Sequence, residues 1–410
     1  MLHLSAPASK SLTHRALLLA ARSVVPCRVV RPLLGADCRS TLGALRALGA
    51  SVESRGDDLV FTPTRGWRGA ALDCGNSGTT LRLLTGQCAL LDSPSTLDGD
   101  ASLRTRPNAP LLDALAALGA TIENIDGHAP LTVCGPLRPG PVSLGPRVSS
   151  QYASSLLLAL ALGPDGTSTL HMHGPVSSRP YLQLTEDIAA LFGVHWTRED
   201  DDNGLRYTIV GGQQARAERV VIEGDWSSAA FPLVAAAITG TPLQLHNLNL
   251  HSAQGDRRVV DVLRSCGVDV NAVDDGLQVQ GRAHRSPGRV DLGATPDMFP
   301  ALCALAATLP GTTELYGAPS LRHKESDRIR MMAQGLDALG VPNTELPGGL
   351  RIEGAPVQVP AHPIESAHDH RIFMAFSTLG LVAPAPLPVA GAGCEAVSYP
   401  DFTAHLARFR

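Results

Sequence analysis

Six times along this chain a polar cluster opens directly onto a long apolar run. The openings are Ser9-Lys10-Ser11, Asn76-Ser77-Gly78-Thr79, Ser149-Ser150-Gln151, Asp225-Trp226-Ser227-Ser228, Thr295-Pro296-Asp297 and Asp369-His370-Arg371. Each predicts a helix start, because Ser, Thr, Asn and Asp side chains satisfy the free N–H groups of a first turn. The runs behind them (residues 16–21, 81–84, 156–162, 229–238, 301–307 and 372–381) are apolar nearly all round, which predicts helices buried on every side. A buried helix still presents unsatisfied N–H groups and a partial positive charge at its N-terminus. Six such ends suit phosphate or carboxylate ligands and point to a cleft for polyanions.

A second repeat interleaves with the first. Gly49, Gly119, Gly193, Gly267 and Gly340 each close an amphipathic stretch and stand 70 to 74 residues apart. Glycine at that place is a helix-termination signal. A short strand pattern, a polar turn and another strand follow: Ser51-Val52-Glu53, Arg55-Gly56-Asp57-Asp58 and Leu59-Val60-Phe61, repeated closely by Val268-Asp269-Val270, Asp274-Asp275-Gly276 and Leu277-Gln278-Val279. The unit is therefore strand, buried helix, strand, surface helix, hairpin. Its period exceeds that of stacked solenoids, so about six copies of a small α/β subdomain are expected, the sixth truncated after Asp369. Pro-rich stretches at 135–146 and 383–388 read as turns between units.

Composition narrows the class. A chain of 410 residues, 44% hydrophobic, can bury two ordinary cores, and a charged fraction of 18% argues against disorder. The net charge of −4 leaves no global basic field to recruit nucleic acid, so positive charge must act locally. Eight cysteines are scattered without a C-x-x-C pair, which reads as reduced, buried thiols of a cytosolic protein. No apolar stretch reaches transmembrane length. Lys10 and Arg15 ahead of residues 16–21 mimic a signal peptide, but that apolar run is short and belongs to the sixfold pattern. A cytoplasmic protein without a membrane partner is the expectation.

Among the polar helix starts, Asp225 and Asp297 have an ordinary explanation as N-caps. The cations do not. Lys10, Arg15, Arg82 and Arg371 lie in or near first turns, where a cation opposes the helix dipole and a bound anion is the economical partner. Arg104 and Arg106 sit in a loop ahead of the next helix, and Arg106 is a candidate fork for a carboxylate or phosphate. Arg322-His323-Lys324-Glu325-Ser326-Asp327-Arg328 packs six ionisable side chains around one serine. A solvated helix start is the default for such a run; here Lys324 and Arg328 fall at helical i, i+4 spacing and project from one face with Glu325 beside them. His370 next to Arg371 reads first as a structural histidine.

Ser9-Lys10-Ser11 through His14-Arg15, Asn76-Ser77-Gly78-Thr79-Thr80 through Arg82, Ser149-Ser150-Gln151 and Lys324-Glu325-Ser326-Asp327-Arg328 closely resemble the signatures of the 5-enolpyruvylshikimate-3-phosphate synthase family of enolpyruvyl transferases. The resemblance runs in order from Pro7 to Phe402. It implies a two-domain inside-out α/β barrel, six repeats of a βαβαββ-type unit with three per domain. One domain would span 9–223 and the other 1–8 plus 224–410, with hinges near 8–10 and 222–225, closing over shikimate 3-phosphate and phosphoenolpyruvate. The implied shikimate 3-phosphate ligands are Lys10, Ser11, Arg15, Ser149, Ser150, Gln151, Ser178, Asp297 and Lys324, with Tyr181 along the ring. The implied phosphoenolpyruvate ligands are Lys10, Gly78, Arg106, Gln151, Arg328 and Arg371, with Gly78 leaving space beside the small substrate. Asp297 would take the proton of the attacking hydroxyl, Glu325 would protonate the methylene carbon, and Lys10 would stabilise the departing phosphate. No cofactor or metal is expected, and the chain is expected to work as a monomer.

In one place the chain departs from that pattern. The family carries a lysine just before a Ser-aromatic-Pro near its C-terminus, whereas this chain reads Ala396-Val397-Ser398-Tyr399-Pro400. Either Val397 replaces the lysine or two residues have been deleted. A raised KM for phosphoenolpyruvate follows, which insertion of Lys-Ser before Tyr399 should lower. The nearest rival is the sister enzyme acting on UDP-N-acetylglucosamine. It typically has cysteine where Arg104-Thr105-Arg106 stands and asparagine after the N-terminal lysine, so both positions favour shikimate. A rival of another class, an RNA-end-modifying protein of related architecture, is disfavoured by 4% aromatic content and an acidic balance.

Overall fold

The computed structural model describes every residue except Arg65, Arg147, Pro175 and Ser177. The chain divides into two units, one made of residues 10–222 and the other of residues 1–9 and 223–410.

In the unit of residues 10–222 the helices are α1 (Lys10–Ala21), α2 (Ala36–Ala47), α3 (Gly78–Cys88), α4 (Ala101–Arg104), α5 (Ala109–Ala117), α6 (Ser150–Leu162) and α7 (Arg179–Leu191). As the polar-to-apolar transitions predict, α1, α3 and α6 start at their clusters and are buried. Ser77 and Ser149 cap α3 and α6, accepting from the N–H groups of Thr80 and Gln151. Residues 16–21 are wholly buried, and each leucine there contributes roughly 1.5–3 kcal/mol. The amphipathic α2, α5 and α7 end at Gly49, Gly119 and Gly193, which take positive φ of 108°, 102° and 71°, a conformation that a side chain would strain.

Three four-stranded sheets accompany these helices: Arg219–Val221, Cys27–Val30, Asp58–Thr62, Ser51–Arg55; Ala71–Asp73, Ser95–Asp98, His128–Cys134, Thr121–Ile125; and Pro141–Leu144, Thr167–His173, Gly204–Val210, Thr197–Asp201. In each the first pair is parallel and the hairpin antiparallel. Burial alternates along them, with Cys27, Val29, Leu59 and Phe61 inward and Arg28 and Glu53 outward, as expected of a sheet covered on one face. The first sheet is completed from far along the chain: Val220 pairs with Val29.

The other unit repeats the scheme with α8 (Trp226–Thr239), α9 (Val259–Ser265), α10 (Phe299–Ala307), α11 (Arg328–Ala338), α12 (His370–Leu379) and α13 (Phe402–Ala407). Its two four-stranded sheets run Leu2–Ser5, Leu243–His246, Gly276–Gln280, Asp269–Val273 and Arg289–Asp291, Thr312–Tyr316, Gly349–Glu353, Asn343–Leu346. The N-terminal strand is again the long-range piece, with Leu4 opposite Leu245 in parallel. After α11 the pattern shortens, and an isolated bridge joins Ile364 to Val389. Asp225 and Asp369 cap α8 and α12, and the apolar residues of α8, α10 and α12 form the centre of one continuous core. Among the described residues no helix is long and apolar enough to cross a membrane.

Candidate active site

In the unit of residues 10–222 the first turns of the buried helices are tied together by polar side chains. His14 Nδ1 shares a 2.7 Å hydrogen bond with Thr41 Oγ1, which lies 2.7 Å from Thr80 Oγ1, linking α1 through α2 to α3. Gln151 at the start of α6 accepts from Arg82 Nη1 at 2.6 Å and donates to Thr79 at 2.9 Å, linking α6 to α3. These bonds bring the predicted residues of α1, α3 and α6 to one polar end of the helix cluster. Lys10 Nζ donates to Asp37 at 2.9 Å.

Arg15 is 1% exposed, and its guanidinium donates to Thr185 (2.7 Å), the Ser11 carbonyl (2.8 Å), Ser154 (3.3 Å) and the Tyr181 carbonyl (3.4 Å). All four partners are neutral. Burial pulls the Arg15 guanidinium down to about 10, still charged at neutral pH. Burial, reinforced by Lys10 and Arg15, holds His14 well below the usual imidazole range. Arg106 is likewise buried on neutral partners, Asn76 and Ser102. A side chain at Gly78 would put a carbon 3.3 Å from Arg106 Nη1 and 3.4 Å from Arg82 Nη1. Ser149 caps α6 with Ser150 as its first residue. Ser178 stands before α7 in the left-handed conformation, φ 55° and ψ 38°. Arginines held on neutral partners retain the attraction for an oxyanion that an ion pair would have spent.

In the other unit the fully buried Arg328 organises the carboxylates. Its Nη1 lies 2.9 Å from Asp297, its Nη2 2.7 Å from Glu325, and its Nε 2.8 Å from Asp369. Burial alone lowers an arginine, but the charges of Asp369, Glu325 and Asp297 outweigh it and hold Arg328 above its ordinary value. Asp297 also faces Lys324 at 3.5 Å and Arg371 at 3.6 Å. The two predicted carboxylates are thus joined through one guanidinium, with Lys324 and Arg371 beside them. Arg328 is saturated by these acids, so its main task in this arrangement is to position them. Asp369 does double duty, capping α12 through the Arg371 N–H and receiving Ser326.

Three residues that matter here were given no site role by the sequence reading: Asp37, Asp369 and Asp256. Asp369 stood in a helix-start cluster, which was its signal, and Arg82, read there as a cation suited to an anion, donates to Gln151. Asp37 is an acid in the first turn of a surface helix, an ordinary cap position. Asp256, buried and accepting from Ser227 Oγ, lies in the short 3-10 turn Gly255–Arg258, which no local pattern announced.

Residues 3–406 match the family described as EPSP synthase (3-phosphoshikimate 1-carboxyvinyltransferase). The chain belongs to that family. It is 40% identical over 403 residues to a 3-phosphoshikimate 1-carboxyvinyltransferase of Methanocorpusculum labreanum, covering 97% of this chain and 93% of that protein. It is 41% identical over 406 residues to one of Methanothrix thermoacetophila, with the same coverage. Among solved structures, an EPSP synthase from Acinetobacter baumannii superimposes with a TM-score of 0.80 at 31% identity, covering 99% of this chain and 95% of that one. The EPSP synthase relatives share with this chain an α/β fold of two domains.

Proposed function

We propose that this chain transfers the enolpyruvyl group of phosphoenolpyruvate to the 5-hydroxyl of shikimate 3-phosphate and releases phosphate. The observation that carries the residue assignment is the joining of Asp297 and Glu325 through the buried Arg328, with Lys324 alongside. Asp297 accepts the proton of the 5-hydroxyl as its oxygen bonds to C2 of phosphoenolpyruvate, and Glu325 supplies a proton to C3. In the resulting tetrahedral ketal the C2–O bond to phosphate then breaks, C3 returns a proton, and the double bond re-forms. Two carboxylates with opposite tasks need unlike surroundings; Asp297 lies near Lys324, Arg328 and Arg371, and Glu325 lies 2.7 Å from Arg328.

Lys10, Ser11, Arg15, Ser149, Ser150, Gln151, Ser178 and Lys324 hold shikimate 3-phosphate, with Tyr181 along the ring. Lys10, Gly78, Arg106, Gln151, Arg328 and Arg371 serve phosphoenolpyruvate, Arg328 by way of the carboxylates that it positions. Lys10 steadies the leaving phosphate. The architecture is a pair of inside-out α/β barrels with three βαβαββ units each. Among the described residues, five sheets of one strand order, followed by the Ile364–Val389 bridge where a sixth falls, support that reading.

The test is phosphate release by the purified chain with phosphoenolpyruvate and either shikimate 3-phosphate or UDP-N-acetylglucosamine. Release with the first acceptor alone, lost in Asp297→Asn and Glu325→Gln, is expected. Release with the sugar nucleotide instead would reassign the substrate, and release unaffected by both substitutions would remove the carboxylates from the mechanism.

A further inference from the structure

A cavity of about 280 Å³ opens at the far end of the helices whose first turns carry the candidate donors. Ala21 and Leu162, the last residues of α1 and α6, both border it. At 1.5 Å per residue it lies roughly 16–18 Å from Lys10 and Ser150, so it is separate from the site proposed above.

Its polar wall holds a guanidinium and a hydroxyl whose hydrogen-bonding capacity the described residues leave unused. Arg22 is half-buried, with its guanidinium 5.0 Å from the centroid of the Trp67 ring, and its side chain makes no hydrogen bond or ion pair with any described residue. Thr64 Oγ1 is buried and has no hydrogen-bond partner among the described residues. Desolvating a guanidinium and a hydroxyl without hydrogen-bond partners is unfavourable, and the face of Trp67 offsets only part of that for Arg22. The dipole at the end of α1 favours a cation there, but it supplies neither partner. The neighbouring Gln213 amide is already engaged, donating to the carbonyls of His195 and Val210, and so forms a fixed wall. Beside the lining residue Gly212 lies the Asp165 carboxylate, whose repulsion grows with the charge of a ligand and so favours a monoanion over a multiply charged one. The volume exceeds that of a bare carboxylate, which leaves room for a small organic body.

We propose that this cavity is a second binding site, for a small organic monocarboxylate whose oxygens accept from Arg22 and Thr64 Oγ1 while its body packs against Trp67. The site needs no turnover and stands apart from the enolpyruvyl-transfer reading.

Three tryptophans in the chain make it observable. The protein is labelled with 5-fluorotryptophan, the Trp67 resonance is assigned with Trp67→Phe, and propionate, benzoate and inorganic phosphate are titrated at constant ionic strength. A saturable shift of the Trp67 resonance is expected with a carboxylate and not with phosphate. In Arg22→Gln the affinity should fall about tenfold or more, and in Thr64→Val by a smaller factor, while the Trp196 and Trp226 resonances report an intact fold. Arg22→Lys, which keeps the charge but loses the planar fork, should fall between wild type and Arg22→Gln. The absence of saturation with either carboxylate, an unchanged affinity in Arg22→Gln, or phosphate binding as tightly as the carboxylates would each overturn the proposal.

Discussion

Asp256 is 3% exposed. Burial first, and then the neighbouring charge of Asp297, push its carboxyl up to about 7 against the pull of Ser227 and Arg371. An unfolded aspartate titrates near pH ~3.9. Between roughly pH 4 and 7 the folded chain therefore keeps a proton that the unfolded chain has released, and stability falls as pH rises through that window, then levels off. Asp256→Asn should flatten this slope, gaining on the order of 3–4 kcal/mol over wild type at pH 8 and almost nothing at pH 4; urea unfolding at several pH values reads it. Gly78 is the second residue whose environment makes a sharp demand. A methyl there would stand within 3.4 Å of both Arg82 and Arg106, in a helix that alanine otherwise suits. Gly78→Ala should leave the melting temperature unchanged and raise the KM for phosphoenolpyruvate by about tenfold, which steady-state kinetics at saturating shikimate 3-phosphate would reveal.

Among elements, the helix starts were the most legible feature of the chain, because a cap and the apolar run behind it are neighbours in sequence. Ser77, Ser149, Asp225 and Asp369 all cap as their clusters predict. Legibility ends where an element's task depends on distant partners. The same Asp369 that caps α12 also holds Arg328, 41 residues away, and no local pattern announces that. The turn Cys394–Val397, where the family lysine is missing, shows how an element limits a test. The Ser398 carbonyl accepts from Ser228, and the buried Tyr399 hydroxyl pairs with His405 at 2.8 Å. Inserting two residues before Tyr399 would displace both contacts, whereas the half-exposed Val397 accepts a longer side chain in place. Val397→Lys should lower the KM for phosphoenolpyruvate roughly threefold to tenfold; an unchanged KM would mean that this turn does not face the substrate.

At the scale of the whole molecule, most of the proposed shikimate 3-phosphate donors lie within residues 10–222. Shikimate 3-phosphate alone, at a hundredfold excess over its Kd, should stabilise the protein by about 2.7 kcal/mol. Hydrogen exchange should place most of that protection at the first turns of α1, α3 and α6. Protection confined to residues 223–410 would contradict the assignment of donors. The sequence by itself determined the repeated unit, the buried and amphipathic helices, the glycine stops and the family, because caps, periodicity and positive-φ glycines act within a few residues. Only the tertiary structure decided that Val220 completes the sheet of Val29, that Leu4 pairs with Leu245, that Arg15 is buried on neutral partners and that Arg328 joins Asp297 to Glu325. Those contacts join segments up to 241 residues apart; a strand's hydrogen-bonding edge and a guanidinium's fork fit many partners, and packing of the whole core selects one.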